Sequence, residues 1–133
     1  MVSENQWVYD LPLIIYSYIK RQIEKKHPAA NVTDLDSSLS EPIFPTVYVK
    51  ELEGKEKGRG LEGKKINAVE ESFQVDVICN TSKNDARIIM ATIMDSFKKL
   101  QFEVLQSPLY SDKNEVYRGI ARFRRIIGAN DTL

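Results

Sequence analysis

One cysteine, Cys79, and one histidine, His27, are all that the 133 residues contain of these two types. A single cysteine excludes an internal disulfide framework and a cysteine-rich zinc site. His27 stands beside Pro28 at the end of a helical pattern, where capping accounts for it, and neither Cys79 nor any serine has an identifiable base. Net charge is also lacking: 19 Lys plus Arg balance 19 Asp plus Glu. No global attraction to nucleic acid or an anionic membrane follows, so charge has to be read segment by segment. The longest apolar stretch, Leu11 to Tyr16, contains Pro12 and is far too short to span a bilayer. No charged leader with a cleavage site precedes it, so a cytosolic location is expected. Carboxylates are scattered, and no pair has a spacing that demands general acid and base work. No metal or cofactor is expected.

What is present suits a globular chain, 42% hydrophobic and 29% charged, long enough for one core and one domain over residues 1–133. Leu11, Ile14, Ile15, Tyr18, Ile19 and Ile23 recur at three- and four-residue spacings, which predicts a helix from about Leu11 to Lys26. Asp10 is its expected N-cap, Pro12 falls in its first turn, and Pro28 stops it. Residues 28–45 have no period and read as a long loop. Thr46 to about Glu53 is rich in β-branched and aromatic residues and reads as a strand. A second strand, about Ala68 to Cys79, alternates Phe73, Val75, Val77 and Cys79 on a core face with Ser72, Gln74 and Asp76 on a wet one.

Asn80, Thr81 and Ser82 are candidate caps for a helix on which Ala86, Ile89, Met90, Ile93, Met94, Phe97 and Leu100 form the apolar stripe. Phe102–Gln106 reads as a short strand, Ser107–Asn114 as a turn, Glu115–Ile127 as a long strand and 128–133 as a loose tail. The expected fold is α+β, a mainly antiparallel four-stranded sheet with two main helices packed on one face.

Two segments stand out by charge. Residues 54–65 hold Lys55, Lys57, Arg59, Lys64 and Lys65 against Glu56 and Glu62, five cations and two carboxylates, a net charge of +3. With four glycines and almost nothing apolar to bury, this is expected to be a mobile hairpin loop. Its Gly58–Lys65 stretch falls one residue short of a phosphate-binding loop, with Lys65 where the magnesium-binding hydroxyl belongs, and it joins two strands instead of opening a helix. The second segment, Val116–Arg125, has four arginines and no acid. Arg118, Arg122 and Arg124 share parity and leave one sheet face, while Tyr117, Ala121 and Phe123 leave the other. These arginines are either a solvated face balanced by Asp76 and other cross-strand carboxylates, or a positive surface that meets an anionic partner subunit or DNA.

The run Asn67–Val77, the polar cap and helix with Ile93-Met94-Asp95-Ser96-Phe97 and Leu100-Gln101-Phe102, the proline turn, and Tyr117-Arg118-Gly119-Ile120-Ala121-Arg122-Phe123-Arg124 together resemble tail terminator (tail completion, head–tail joining) proteins of long-tailed bacteriophages. The resemblance covers about two thirds of the chain and rests on the order and spacing of amphipathic patterns. It implies a small α+β subunit that closes into a hexameric ring, caps the finished tail tube and offers an interface to the head connector, with DNA passing through the lumen without sequence-specific contacts. It implies no enzymatic activity, no membrane, and a place in the virion neck after assembly in the host cytoplasm. No strict residue motif comes with it. Lys55, Lys57, Arg59, Lys64, Lys65, Arg118, Arg122 and Arg124 are the interface candidates, inferred from charge and placement. Two alternatives stay open: another neck component, such as a head–tail adaptor or stopper, and a small nucleic-acid-processing enzyme. The enzyme would require Glu70, Asp76 or Glu115 to converge near the arginines.

Overall fold

Every fourth residue from Leu11 to Ile23 (Leu11, Ile15, Ile19, Ile23) is buried, which sets the inward stripe of the first helix. The computed structural model describes residues 4–34, 44–58 and 63–131. In chain order the elements are α1 (Gln6–Lys26), β1 (Asn31–Thr33), β2 (Thr46–Lys57), β3 (Ala68–Cys79), α2 (Lys83–Lys99), β4 (Glu103–Lys113) and β5 (Val116–Gly128). The fold is α+β, but the sheet is five-stranded and mixed, in the order β1-β2-β3-β5-β4, with only β1 and β2 parallel.

Helix α1 begins five residues before the expected start. Pro12 is therefore in its interior, where the missing N–H leaves the Val8 carbonyl without its usual partner. Asp10 is not the cap; its carboxylate accepts from the Gln6 side chain at 3.2 Å. Asn5 holds the cap position without a side-chain capping bond. Its side chain instead donates to the Lys64 carbonyl at 3.0 Å and accepts from the Ile66 N–H at 2.9 Å, clamping the helix start to the far hairpin. Ile14, expected in the inward stripe, is exposed.

The expected loop 28–45 contains β1, whose three residues pair with Thr46, Val47 and Tyr48. A three-residue strand gives no periodicity to read, and its burial comes from α1 packed beside it. Residues 35–43 of that loop lie outside the described residues. Strand β2 continues four residues past Glu53, with one extra residue inserted between Glu51 and Glu53. Lys55 and Lys57 are therefore on the strand, opposite Glu70 and Ala68, and only Lys64 and Lys65 of the described basic residues belong to the connection. Arg59 lies outside the described residues. The end of that connection is held by Asn5 and by Asn67, which donates to the Gly58 carbonyl at 3.0 Å.

Strand β3 has the expected bounds, and helix α2 carries the expected stripe, with Ser82 the one of the three candidate caps that is used. Ser82 caps α2 by accepting from the Asp85 N–H at 3.0 Å. At its other end Gln101 adopts φ +63°, and the Gln101 and Phe102 N–H groups bond to the Lys98 and Phe97 carbonyls, which is the Schellman closure. Strand β4 runs through the expected turn to Lys113, kept in register with β5 by two bulges, the second spanning Ser107 and Pro108. The reversal occurs at Asn114-Glu115, both with φ near +60°, a two-residue hairpin turn with left-handed conformation at each centre. Because β5 separates β3 from β4 and runs antiparallel to both, the connection through α2 passes over one strand, and its two strands are parallel but not neighbours. Residues 129–131, expected as part of a loose tail, are tied back by the Ala129 N–H to the Asn67 carbonyl at 2.8 Å and by Asp131 accepting from the Gly128 N–H at 2.8 Å.

Both helices cover one sheet face. Its core centres on Phe73, Phe97, Phe102 and Phe123, with Phe97 stacked on Phe123 at 4.2 Å and edge-on to Phe102 at 5.2 Å. Burying such rings is worth several kcal/mol in total, of which each aromatic pairing adds about 1 kcal/mol. Among the described residues no helix is long and apolar enough to cross a membrane.

Candidate interaction surface

Among the described residues the second face of the sheet carries no helix, and the register places its side chains in rows across β4, β5, β3 and β2. One row is Ser111, Arg118, Ile78 and Thr46; the next is Leu109, Ile120, Asp76 and Tyr48. The third, Gln106, Arg122, Gln74 and Lys50, holds two cations, two amides and no carboxylate. The fourth is Glu103, Arg124, Ser72 and Glu53.

The structure thus brings Arg118, Arg122 and Arg124 to one face, as the parity of β5 requires, but their surroundings differ. Arg118 pairs with Asp76 at 2.5 Å, and Asp76 is almost fully buried. Asp76 also accepts from Gln74 at 3.1 Å. Arg124 is held between Glu103 and Glu70, and the Glu103 hydrogen bond raises its pKa further above the ordinary value. Arg122 donates to the Gln74 side-chain carbonyl at 3.0 Å and has no carboxylate partner among the described residues. Two of the three arginines therefore serve the cross-strand balancing that the sequence suggested, and one does not. The face expected to be wet is partly shielded: Ser72 and Gln74 are half-buried and Asp76 is buried, with Arg118 and Arg122 of β5 bonded to Asp76 and Gln74. Arg125, of opposite parity, caps α2 by donating to the Leu100 carbonyl at 2.7 Å.

The basic candidates of the hairpin are dispersed. Lys57 pairs with Glu70 at 3.3 Å, Lys55 is exposed on β2, and Lys64 and Lys65 are exposed beside the start of α1.

The three carboxylates an enzyme would need do not converge. Glu70 and Asp76 are six residues apart on β3, about 20 Å at the rise of a strand, and Glu115 sits in the β4–β5 turn. His27 and Cys79 line one shallow cavity of about 390 Å³ with Asp85, yet each is engaged elsewhere. The His27 ring shares a 2.9 Å hydrogen bond with Thr92, and the Cys79 thiol donates to the Ser82 carbonyl at 3.1 Å. Among the described residues no group of acids, His and Cys has the arrangement to hold a metal ion.

One feature went unread in the sequence. Glu71 has the parity of Phe73 and so points to the core face, where it is 1% exposed. Burial first, then its hydrogen bond to Glu51 and the repulsion between the two, pushes its pKa up to about 9. Among the described residues its Oε2 has no hydrogen-bond partner, nor does the buried Trp7 indole N–H. Gly54 stands opposite Glu71, where a Cβ would lie 3.1 Å from Glu71 Oε1 and 3.3 Å from Glu51 Oε2; this glycine gives the two carboxyl groups room to meet. The parity was the available signal. Next to this pair, Tyr9, Leu13 and Tyr16 of α1 face Glu51, Phe73 and Asp34 across a cavity of about 300 Å³.

Neither a scan against models of known protein families nor a search of curated proteins returned a match for this chain.

Proposed function

We propose that this chain is a structural assembly protein that caps and completes a phage or prophage tail tube and offers the head–tail joining interface, working as a ring of copies, six by the resemblance. The single observation that carries the reading is the sheet face that no described helix covers, on which Arg122 has no carboxylate partner among the described residues, while the helices and core form the scaffold behind it. A ring built from one chain requires two different complementary patches on each copy. The sheet face around Arg122 and the cavity between α1 and β2 can serve as two such patches. Its partners in this role are further copies of itself, the tail tube protein and a head-completion or connector protein, with DNA crossing the lumen without sequence readout. Its place is the virion neck, after assembly in the host cytoplasm.

The test is to mix the purified chain with purified tail tubes, then follow co-sedimentation and image the tubes by negative stain. A cap of uniform size at one end of each tube is expected. Failure to bind tubes, with binding to a portal-side protein instead, would transfer the chain to the adaptor or stopper role.

A further inference from the structure

We infer that the sheet face around Arg122 of one copy docks on the pocket between α1 and β2 of a second copy, placing the Arg122 guanidinium against Asp34 and Glu51. This deepens the ring reading and rests on it.

The charge pattern selects these two surfaces. Of the four arginines on β5, three have an oxygen of a carboxylate or of the α2 terminus: Arg118 has Asp76, Arg124 has Glu70 and Glu103, and Arg125 has the Leu100 carbonyl and Asp131. Arg122 has only an amide. A guanidinium with four remaining N–H donors is matched best by carboxylates and by aromatic rings it can stack on. The pocket offers both. Asp34 and Glu51 are exposed at its edge, Tyr9, Tyr16 and Phe73 form walls, and the buried Glu71 carboxyl stands behind Glu51. At about 300 Å³ it lies at the lower end of small-molecule sites, a size for a side chain.

Apolar surface accompanies the charge on both sides. Leu109 is 62% exposed in the row beside Arg122, and Tyr9 and Leu13 are 78% and 66% exposed at the pocket. Exposed apolar groups beside charged ones fit a protein contact better than the phosphate backbone of a nucleic acid. The two patches lie on opposite faces of the sheet. A two-fold pair could not engage both at once, so the contact is head-to-tail and closes into a ring or extends as a filament.

Sedimentation velocity of the full chain over a concentration series tests this. Wild type should self-associate, and the association should weaken as salt is raised. Arg122→Glu and Asp34→Lys should each weaken it by more than about tenfold, through like-charge contact. An equimolar mixture of the two variants should recover association, because Arg122 of the Asp34→Lys copies still meets the intact pocket of the Arg122→Glu copies. Both side chains are exposed, and unchanged melting temperatures check that the variants fold. A wild type that stays monomeric throughout, variants that associate as wild type does, or a mixture that shows no recovery would each overturn the inference. The capping reading fails separately, through tube binding: capping of tubes undiminished in both variants sinks this contact alone, whereas a wild type that does not bind tubes sinks the capping reading.

Discussion

Glu71 is the residue at which chemistry and stability are most directly linked. Its carboxyl is protonated in the folded chain up to about pH 9, whereas its ordinary value is 4.5. Below pH 4.5 the group is neutral in both states and costs nothing. Between 4.5 and 9 the unfolded chain releases the proton and the folded chain does not, so stability falls as pH rises, by up to about 1.4 kcal/mol per unit. Urea unfolding of wild type should show a midpoint that declines from pH 5 to pH 9. Glu71→Gln should flatten that decline and be more stable than wild type at pH 8; parallel curves for the two proteins would refute this. At Gly119 the constraint is spatial, since a Cβ there would lie 2.9 Å from the Tyr110 ring. Gly119→Ala should lower stability by about 1–3 kcal/mol through overpacking, read as a drop in melting temperature.

Among the elements, α2 has the most local support. The Ser82 cap and the Asp85 charge act at its start, and the Schellman closure with Phe102 on Phe97 acts at its end. Ser82→Ala should cost about 1 kcal/mol. Gln101 occupies the left-handed position that glycine fills without strain, so Gln101→Gly should add about 1 kcal/mol, with thermal denaturation as the check on both. Such strong local signals are why α2 is legible in the sequence by its cap and stripe, as β3 is by its alternation. The misread elements are those whose identity depends on a neighbour. Strand β1 exists because Pro45 and Thr46–Tyr48 offer a partner, and β4 survives Pro108 because the proline falls inside a bulge, where the ladder is already interrupted. The β4–β5 turn was misplaced because Asn114-Glu115 carries a weaker signal than Asn-Gly. Of the candidate surface, parity placed Arg118, Arg122 and Arg124 together. The distinction between paired and unpaired arginines depends on cross-strand register, which no local pattern encodes.

At the scale of the whole molecule, a net charge of zero is reached with several cations paired across strands, Lys57 and Arg124 with Glu70 and Arg118 with Asp76, and others left at the surface. Lys64 and Lys65 are exposed and make no ion pair among the described residues. Replacing both with serine should leave the melting temperature within the change expected of about 0.5 kcal/mol while reducing co-sedimentation with tail tubes; retained tube binding would remove them from the interface. The outermost strand sets a limit of another kind. Strand β4 has no strand on its outer side among the described residues, and an open edge of that length is ordinarily an invitation to accrete further chains. Two bulges and a proline interrupt its hydrogen-bonding rhythm at residues 105–108, so a foreign strand laid along it would lose step partway. If copies of the chain stack in a ring as proposed, such an edge would let each remain a countable building block instead of the seed of a fibre.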